Sequence, residues 1–259
     1  MKLTFLGTGN SAQMPVYNCD CVACARARND ERFVRRPCSA LLQLGKAQWL
    51  IDSGLMDLTT RFPAGSLQGI FQTHYHADHA QGLLHLRWGV DLHLPVYGPP
   101  DEAGFADLYK HPGILDFSQP FHAFEARQFD GFHITALPLQ HSKLTYGYLI
   151  RSEQGASLAY LTDTQGLDDE VRLFLRACQP QHCVLDCSYP PRPEPGRNHN
   201  DLTQALTIHQ DIGAGTTWLT HAGHELDRYL MANPGSLPPG VRQAFDNQQI
   251  DLSLIAPGR

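Results

Sequence analysis

One segment constrains this chain more than any other. In Thr73-His74-Tyr75-His76-Ala77-Asp78-His79, three imidazoles and one carboxylate fall within six consecutive positions. The preceding Gly69-Ile70-Phe71-Gln72-Thr73 reads as a short apolar strand, and Ala80-Gln81-Gly82-Leu83-Leu84-His85-Leu86 after it has helical spacing. The cluster therefore stands where a strand gives way to a helix. Side chains alternate along extended backbone, so His74 and His76 point the same way, while Asp78 and His79 fall in the first helical turn and aim elsewhere. One short segment can thus serve two cations, His74 and His76 on one, Asp78 and His79 on the other. Neutral imidazole suits zinc, iron and manganese, and a carboxylate adds a hard oxygen. Two ions need more ligands than this segment holds, so the rest of the chain has to supply them.

The 259 residues suffice for one large domain or two small ones. No internal repeat or long linker divides them, and strands alternate with helices. The expected architecture is one α/β domain over residues 1–259 with two layered sheets. No stretch of roughly eighteen apolar residues marks a membrane-spanning helix. The opening Met1–Gly7 is too short and too rich in Gly and Thr for a signal peptide and reads as a first strand, so the expected location is the cytoplasm. Seven cysteines, an odd number without a secretory leader, favour thiolates and metal over disulfides. A formal charge of −6 argues against a protein that coats duplex nucleic acid. It leaves a phosphate substrate open, because bound metals bring local positive charge.

Along the chain, Cys19-Asp20-Cys21-Val22-Ala23-Cys24 runs into a helix beginning near Ala25. The CxCxxC spacing looks like three thiolates on one ion. A structural zinc wants four ligands, so a fourth comes from a distance. Ser39–Leu44 and Ala47–Ile51 form a hairpin ending at Asp52, which could cap a helix over Leu55–Arg61 and, by the resemblance given below, also support the His loop. Further helices are expected over Asp101–Tyr109, Leu167–Ala177 and Leu202–Ile212, and strands over Phe121–Glu125, Phe132–Leu137, Ser157–Leu161, Cys183–Cys187, Thr216–Thr220 and Ile250–Ile255. Lys110–Phe117 reads as a loop and Pro190–Pro195 as a Pro-rich rim. His141, Asp163 and His221 each follow a strand, as His74 does. Cys183 and Cys187 share one face and read as core.

Counting ligands, His74, His76 and His141 can hold a first metal and Asp78, His79 and His221 a second, with Asp163 bridging. The order HxHxDH, His, Asp, His resembles the metallo-β-lactamase superfamily. That resemblance implies an αβ/βα sandwich with a binuclear site. Two dications, less Asp78, Asp163 and a bridging hydroxide, leave a single positive charge that attracts a phosphate anion. Paired ions about 3.5–4 Å apart suit in-line displacement at phosphorus, with hydroxide available near neutral pH. The departing alkoxide needs a proton, and His199, at a loop-to-helix start, is the candidate general acid.

A finer resemblance rests on Phe5-Leu6-Gly7-Thr8-Gly9, the CxCxxC loop, Arg35-Arg36-Pro37-Cys38-Ser39, Leu86–Val90, Tyr97–Glu102, Lys110–Phe117, His141–Thr145, Asn198-His199 and Leu219-Thr220-His221. Together these are similar to the PhnP family of phosphoribosyl cyclic phosphodiesterases of the carbon–phosphorus lyase pathway. The resemblance implies opening of 5-phospho-α-D-ribosyl 1,2-cyclic phosphate to ribose 1,5-bisphosphate, generally with manganese, zinc being the alternative. It implies catalysis by His199 and a structural zinc on Cys19, Cys21, Cys24 and His224, with Cys38 the rival fourth ligand. About three ions per chain are then expected. A homodimer is common in the family. Arg87, Lys110, His111 and Lys143 are the candidate cations for a 5-phosphate on the small-molecule substrate. Two rivals share the fold: a tRNA 3′-processing nuclease, which usually needs a basic arm not seen here, and a PqqB-like non-hydrolytic protein, which lacks an intact HxHxDH.

Overall fold

The computed structural model describes residues 1–194 and 196–253. The short apolar runs become strands of two layered sheets. β1 (Lys2–Gly7), β2 (Ser39–Leu44), β3 (Ala47–Ile51), β4 (Leu67–Phe71), β5 (Leu94–Tyr97) and β6 (Leu115–Asp116) lie in the first. β7 (Ala126–Phe129), β8 (Phe132–Leu139), β9 (Thr145–Ser152), β10 (Ser157–Leu161), β11 (His182–Asp186), β12 (Thr216–Thr220) and β13 (Val241–Gln243) form the second. β14 (Gln249–Asp251) returns to the first sheet beside β1. Helices are α1 (Val22–Asn29), α2 (Leu58–Arg61), α3 (Ala77–Ala80), α4 (Leu83–Leu86), α5 (Asp169–Cys178), α6 (Leu202–Ile212) and α7 (His224–Ala232).

Alternation along the strands sorts the side chains into layers. Leu3, Phe5, Trp49, Ile51 and Phe71 of one sheet meet Phe132, Tyr148, Ile150, Val184 and Trp218 of the other in a buried cluster between them. The intervening positions face outward. Leu41, Leu50 and Ile70 pack with Leu58 and Leu83 of α2 and α4. Leu149, Leu161, Leu185 and Leu219 pack with Leu175 and Ile208 of α5 and α6, and Cys183 and Cys187 lie in the same outer layer. Helix, sheet, sheet and helix thus stack as an αβ/βα sandwich. Strands covered on both faces read as unbroken apolar runs, as Leu158-Ala159-Tyr160-Leu161 does. Phe71 is fully buried and stacks 5.0 Å from Trp49, so Phe71→Ala would cost about 3–5 kcal/mol.

Direction positions the site. β3 to β6 run parallel, as do β10 to β13. β8 shares the direction of β10 because β9 is antiparallel to both. The segments after β3, β4, β8, β10, β11 and β12 therefore leave one rim. There Gly54 passes under the His loop so closely that a Cβ on it would lie 2.0 Å from the Asp78 carbonyl oxygen.

Several expected elements differ. Asp101–Tyr109 is a run of turns rather than a helix. Asp101 Oδ1 accepts from the backbone N–H of Ala103 and Gly104, and Gly104 and Ala106 are left-handed at φ 52° and 48°. Phe121–Glu125 is not a strand: Phe124 sits at φ 58°, Glu125 accepts from the His122 N–H, and the strand starts at Ala126. The helix expected from Leu55 begins only at Leu58, with Asp57 before it, so Asp52 caps nothing there. Within 110–117 lies the two-residue strand β6. α7 and β13 occupy a tail where only a late strand was expected. The end of Ile250–Ile255, from position 254, and Pro195 of the rim lie outside the described residues. Leu202–Ile212 is helical as expected, opened by a capping box between Asp201 and Gln204.

Candidate metal centre

The rim gathers side chains that are far apart in sequence. His74, His76, Asp78 and His79 follow β4, His141 follows β8, Asp163 follows β10 and His221 follows β12. Asp163 Oδ2 is the hub. It lies 3.2 Å from His79 Nε2, 3.3 Å from His221 Nε2, and 3.7 Å from both His74 Nε2 and His141 Nε2. His76 Nδ1 is 3.0 Å from His74 Nε2 and 3.0 Å from His141 Nε2. On the other side Asp78 Oδ2 is 3.4 Å from His221 Nε2 and 3.7 Å from His79 Nε2. The seven groups converge as two overlapping sets: His74, His76 and His141, and Asp78, His79 and His221, with Asp163 between.

Each imidazole but one is turned by a bond on its far nitrogen. His79 Nδ1–H donates to Asp52 at 2.8 Å, and His141 Nδ1–H to the Asn198 carbonyl at 3.1 Å. His221 Nδ1 is 2.9 Å from the Ser188 hydroxyl, which itself bonds Asp186. His74 Nδ1 is 3.0 Å from the Thr73 hydroxyl, which donates to Asp52. A proton on Nδ1 of each would leave Nε2, which faces Asp163, free to meet a cation there. His76 presents Nδ1 instead. Asp52, fully buried at φ 60°, also accepts from the Thr73 N–H and Gln72 Nε2, and so holds the loop from below. His221 is left-handed as well, at φ 56°, a conformation costing of order 1–3 kcal/mol outside glycine and concentrated at functional sites.

Do these groups fit a metal? His79 Nε2 is buried without a hydrogen-bond partner although two carboxylates face it. A buried polar atom left so is costly unless something else satisfies it. The donor set, nitrogen and carboxylate oxygen only, suits zinc, manganese or iron. Electrostatics agrees. Burial raises Asp163, but His221 and His79 outweigh it and hold the carboxylate well below its usual range. Burial likewise raises Asp78, while the His221 bond and the His79 charge bring it to about 2. The carboxylates are anions at any ordinary pH, facing cations or protonated rings.

His199 stands beside this set. Its ring is 4.6 Å from that of His221 and 5.1 Å from that of His141. Nδ1–H donates to Asp186 at 2.8 Å. Burial lowers its pKa, but the Asp186 charge and hydrogen bond, with Asp163 behind them, raise it to about 9.

The thiol loop folds elsewhere. Cys19, Cys21 and Cys24 surround His224 at the start of α7, with sulfur to Nδ1 distances of 3.3, 3.5 and 3.6 Å. Cys38 is not the fourth member: it lies buried against the Thr220 hydroxyl. Burial pushes Cys24 up, and the Cys21 and Cys19 sulfurs push it further; Cys21, though burial raises it too, is pulled down by its hydrogen bonds. Without an ion the three sulfurs cannot all carry charge.

Residues 50–222 match the Beta-lactamase superfamily domain. The chain belongs to the metallo-β-lactamase superfamily. Among solved structures, a diphosphatase of the PhnP family is 26% identical, with a TM-score of 0.79 over 96% of both chains. Zinc-bound PqqB of Methylobacterium extorquens has a TM-score of 0.78 over 97% of this chain and 100% of its own, at 18% identity, and so shares the fold. By sequence, ribonuclease Z of Methanosarcina acetivorans is 27% identical over 58% of this chain and 48% of its own length. Ribonuclease BN of Cronobacter sakazakii is 32% identical over 59% and 50%. The chain spans about half the length of the curated relatives it matches. The family's fold and this donor set together fit divalent metal.

The cationic candidates of this superfamily member scatter. Lys143 is close enough to depress His76, after the larger effect of burial, yet its ammonium already donates to Asp101 and the Gly104 carbonyl. Arg87 turns away to Asp107 and the His111 carbonyl. Lys110 and His111 are exposed on that same loop. Sequence reading missed Asp186, Ser188 and Asn198. The available signal was a strand, His182–Asp186, ending in Asp-Cys-Ser at the rim where other ligands emerge.

Proposed function

We propose that the protein is a dinuclear metal-dependent phosphodiesterase. It opens 5-phospho-α-D-ribosyl 1,2-cyclic phosphate to ribose 1,5-bisphosphate in phosphonate breakdown by the carbon–phosphorus lyase pathway. The observation that carries this reading is the match to a PhnP-family diphosphatase over 96% of both chains. It is joined by the Asp186-anchored His199 beside the His and Asp cluster. His74, His76 and His141 would hold one divalent cation, Asp78, His79 and His221 a second, and Asp163 both; manganese fits the donors, as does zinc. Cys19, Cys21, Cys24 and His224 would hold a structural zinc. Bound in pairs, such cations supply Lewis acidity at phosphorus and a water acidic enough to attack at neutral pH.

The chain's own groups do the rest. Asp163 and Asp78 keep the cluster anionic, which gathers the ions, and the tethered imidazoles fix where a phosphate can sit. His199 keeps Nδ1 on Asp186, so Nε2–H is the proton available to the departing ribose oxygen. A pKa raised to about 9 keeps that proton on at neutral pH. Water gives one proton to solvent and its hydroxyl joins phosphorus; the ring P–O bond breaks, and the ribose oxygen takes the His199 proton and stays on the sugar as a hydroxyl.

The test is the cyclic ester itself. Manganese-loaded protein should yield ribose 1,5-bisphosphate by phosphorus NMR, and Asp163→Ala should not; a loaded wild type that leaves the ester intact ends the proposal. His199→Ala should slow alkyl esters far more than bis(p-nitrophenyl) phosphate, whose leaving group needs no proton.

A second reading, tRNA 3′-processing, is favoured by the ribonuclease Z and BN sequence relatives. Those matches stop at about three-fifths of this chain, and the net charge is −6. Filter binding to tRNA at physiological salt separates the two. A cytoplasmic homodimer belongs to the first proposal. No helix among the described residues is long and apolar enough to cross a membrane.

A further inference from the structure

We infer that Arg192 selects ribosyl cyclic esters that carry a second phosphate on the sugar's outer carbon, an inference that rests on the function proposed above. Arg192 lies in the loop between β11 and α6 whose far end carries His199. Its guanidinium carbon sits 3.5 Å from the centroid of the Tyr189 ring. That ring is 6.4 Å from the His199 ring, so the guanidinium lies at most about 10 Å from the general acid. His199 gives its proton to the departing oxygen. That oxygen stays on the sugar when the ring opens, so a cation within about 10 Å of His199 is in reach of a phosphate on the sugar's outer carbon.

The side chain is built to recognise such a group. Stacking on Tyr189 fixes the plane of the fork. The backbone N–H of Arg192 donates to Asp201, the residue that also caps α6, so the loop is pinned near the acid. Nη2 bonds Glu225 at 2.9 Å, at the half-exposed start of α7. Nε–H and the Nη1 hydrogens have no partner among the described residues, and a guanidinium offers five donors suited to two-point binding of phosphate. The sequence candidates compare poorly. Lys143 and Arg87 are committed to the 101–111 segment.

The experiment compares ribosyl 1,2-cyclic phosphate with and without its 5-phosphate, using metal-loaded full-length protein. Wild type should prefer the phosphorylated ester. Arg192→Gln should cut that preference about 10- to 100-fold, chiefly through KM, and Arg192→Lys should restore part of it. Glu225→Gln frees the guanidinium and should keep or increase the preference at unchanged zinc content. If wild type shows no preference, if Arg192→Gln keeps it, or if Glu225→Gln abolishes it, Arg192 has no such role. If wild type cleaves neither ester, the proposed function fails instead.

Discussion

Two ligand clusters sit three residues apart at His221 and His224, yet they are held together in opposite ways. The imidazole and carboxylate set is deeply buried and braced from behind by side chains: Asp52 under His79, Thr73 under His74, Ser188 under His221. The thiol set is partly open, and its sulfurs lean on peptide N–H groups, Val16 to Cys24 and Cys24 to Cys21. The first is a geometry the protein makes for itself; the second would need a cation to cancel the charge of three sulfurs. On the function proposed above, chemistry belongs in the first kind of site, where orientation survives turnover, and fastening belongs in the second.

That contrast can be broken. Asp163→Asn should lower turnover by at least about 10³-fold while the melting temperature, followed by circular dichroism, stays near wild type. A collapse of the fold would mean the hub is structural. Cys21→Ser with Cys24→Ser should lose one metal equivalent by mass spectrometry and drop the melting temperature by about 10 °C or more. An unchanged melt would show that the thiol loop fastens nothing. Asp52→Asn should weaken uptake at the buried set by about 10- to 100-fold, measured against a competing chelator, with the thiol site unaffected.

The subtlest test concerns Asp186. Its charge raises His199, so removing it lowers the folded pKa. The acid then loses its proton at lower pH, and the alkaline limb of the pH–rate profile in Asp186→Asn should move down by about a unit or more. An upward shift, or none, removes Asp186 from the acid's support.

What the sequence made legible was local. HxHxDH and CxCxxC declare themselves because their members are neighbours, and strand ends marked by His141, Asp163 and His221 follow from alternating apolar runs. His224 came through resemblance, not spacing alone. Asp186 and Ser188 did not come at all: each acts on a group thirteen to thirty-five residues away, and the one local signal, a strand ending at the rim, names no partner for them. The Asp101–Tyr109 helix failed because one carboxylate bonding two backbone N–H groups outweighed weak helical periodicity. Arg87 looked like a substrate cation until its fold placed it against Asp107.

The turn after β12 gives His221 to one cluster and His224 to the other. Just past β1 the Thr8 carbonyl accepts from the Ala222 N–H, and just past β11 the Ser188 carbonyl accepts from the Gly223 N–H. A growing chain presents its cysteines early and this corner late. Neither nest can therefore be complete until residues 221–224 have folded against both sheets, and any cation that fills one must arrive after that corner has closed.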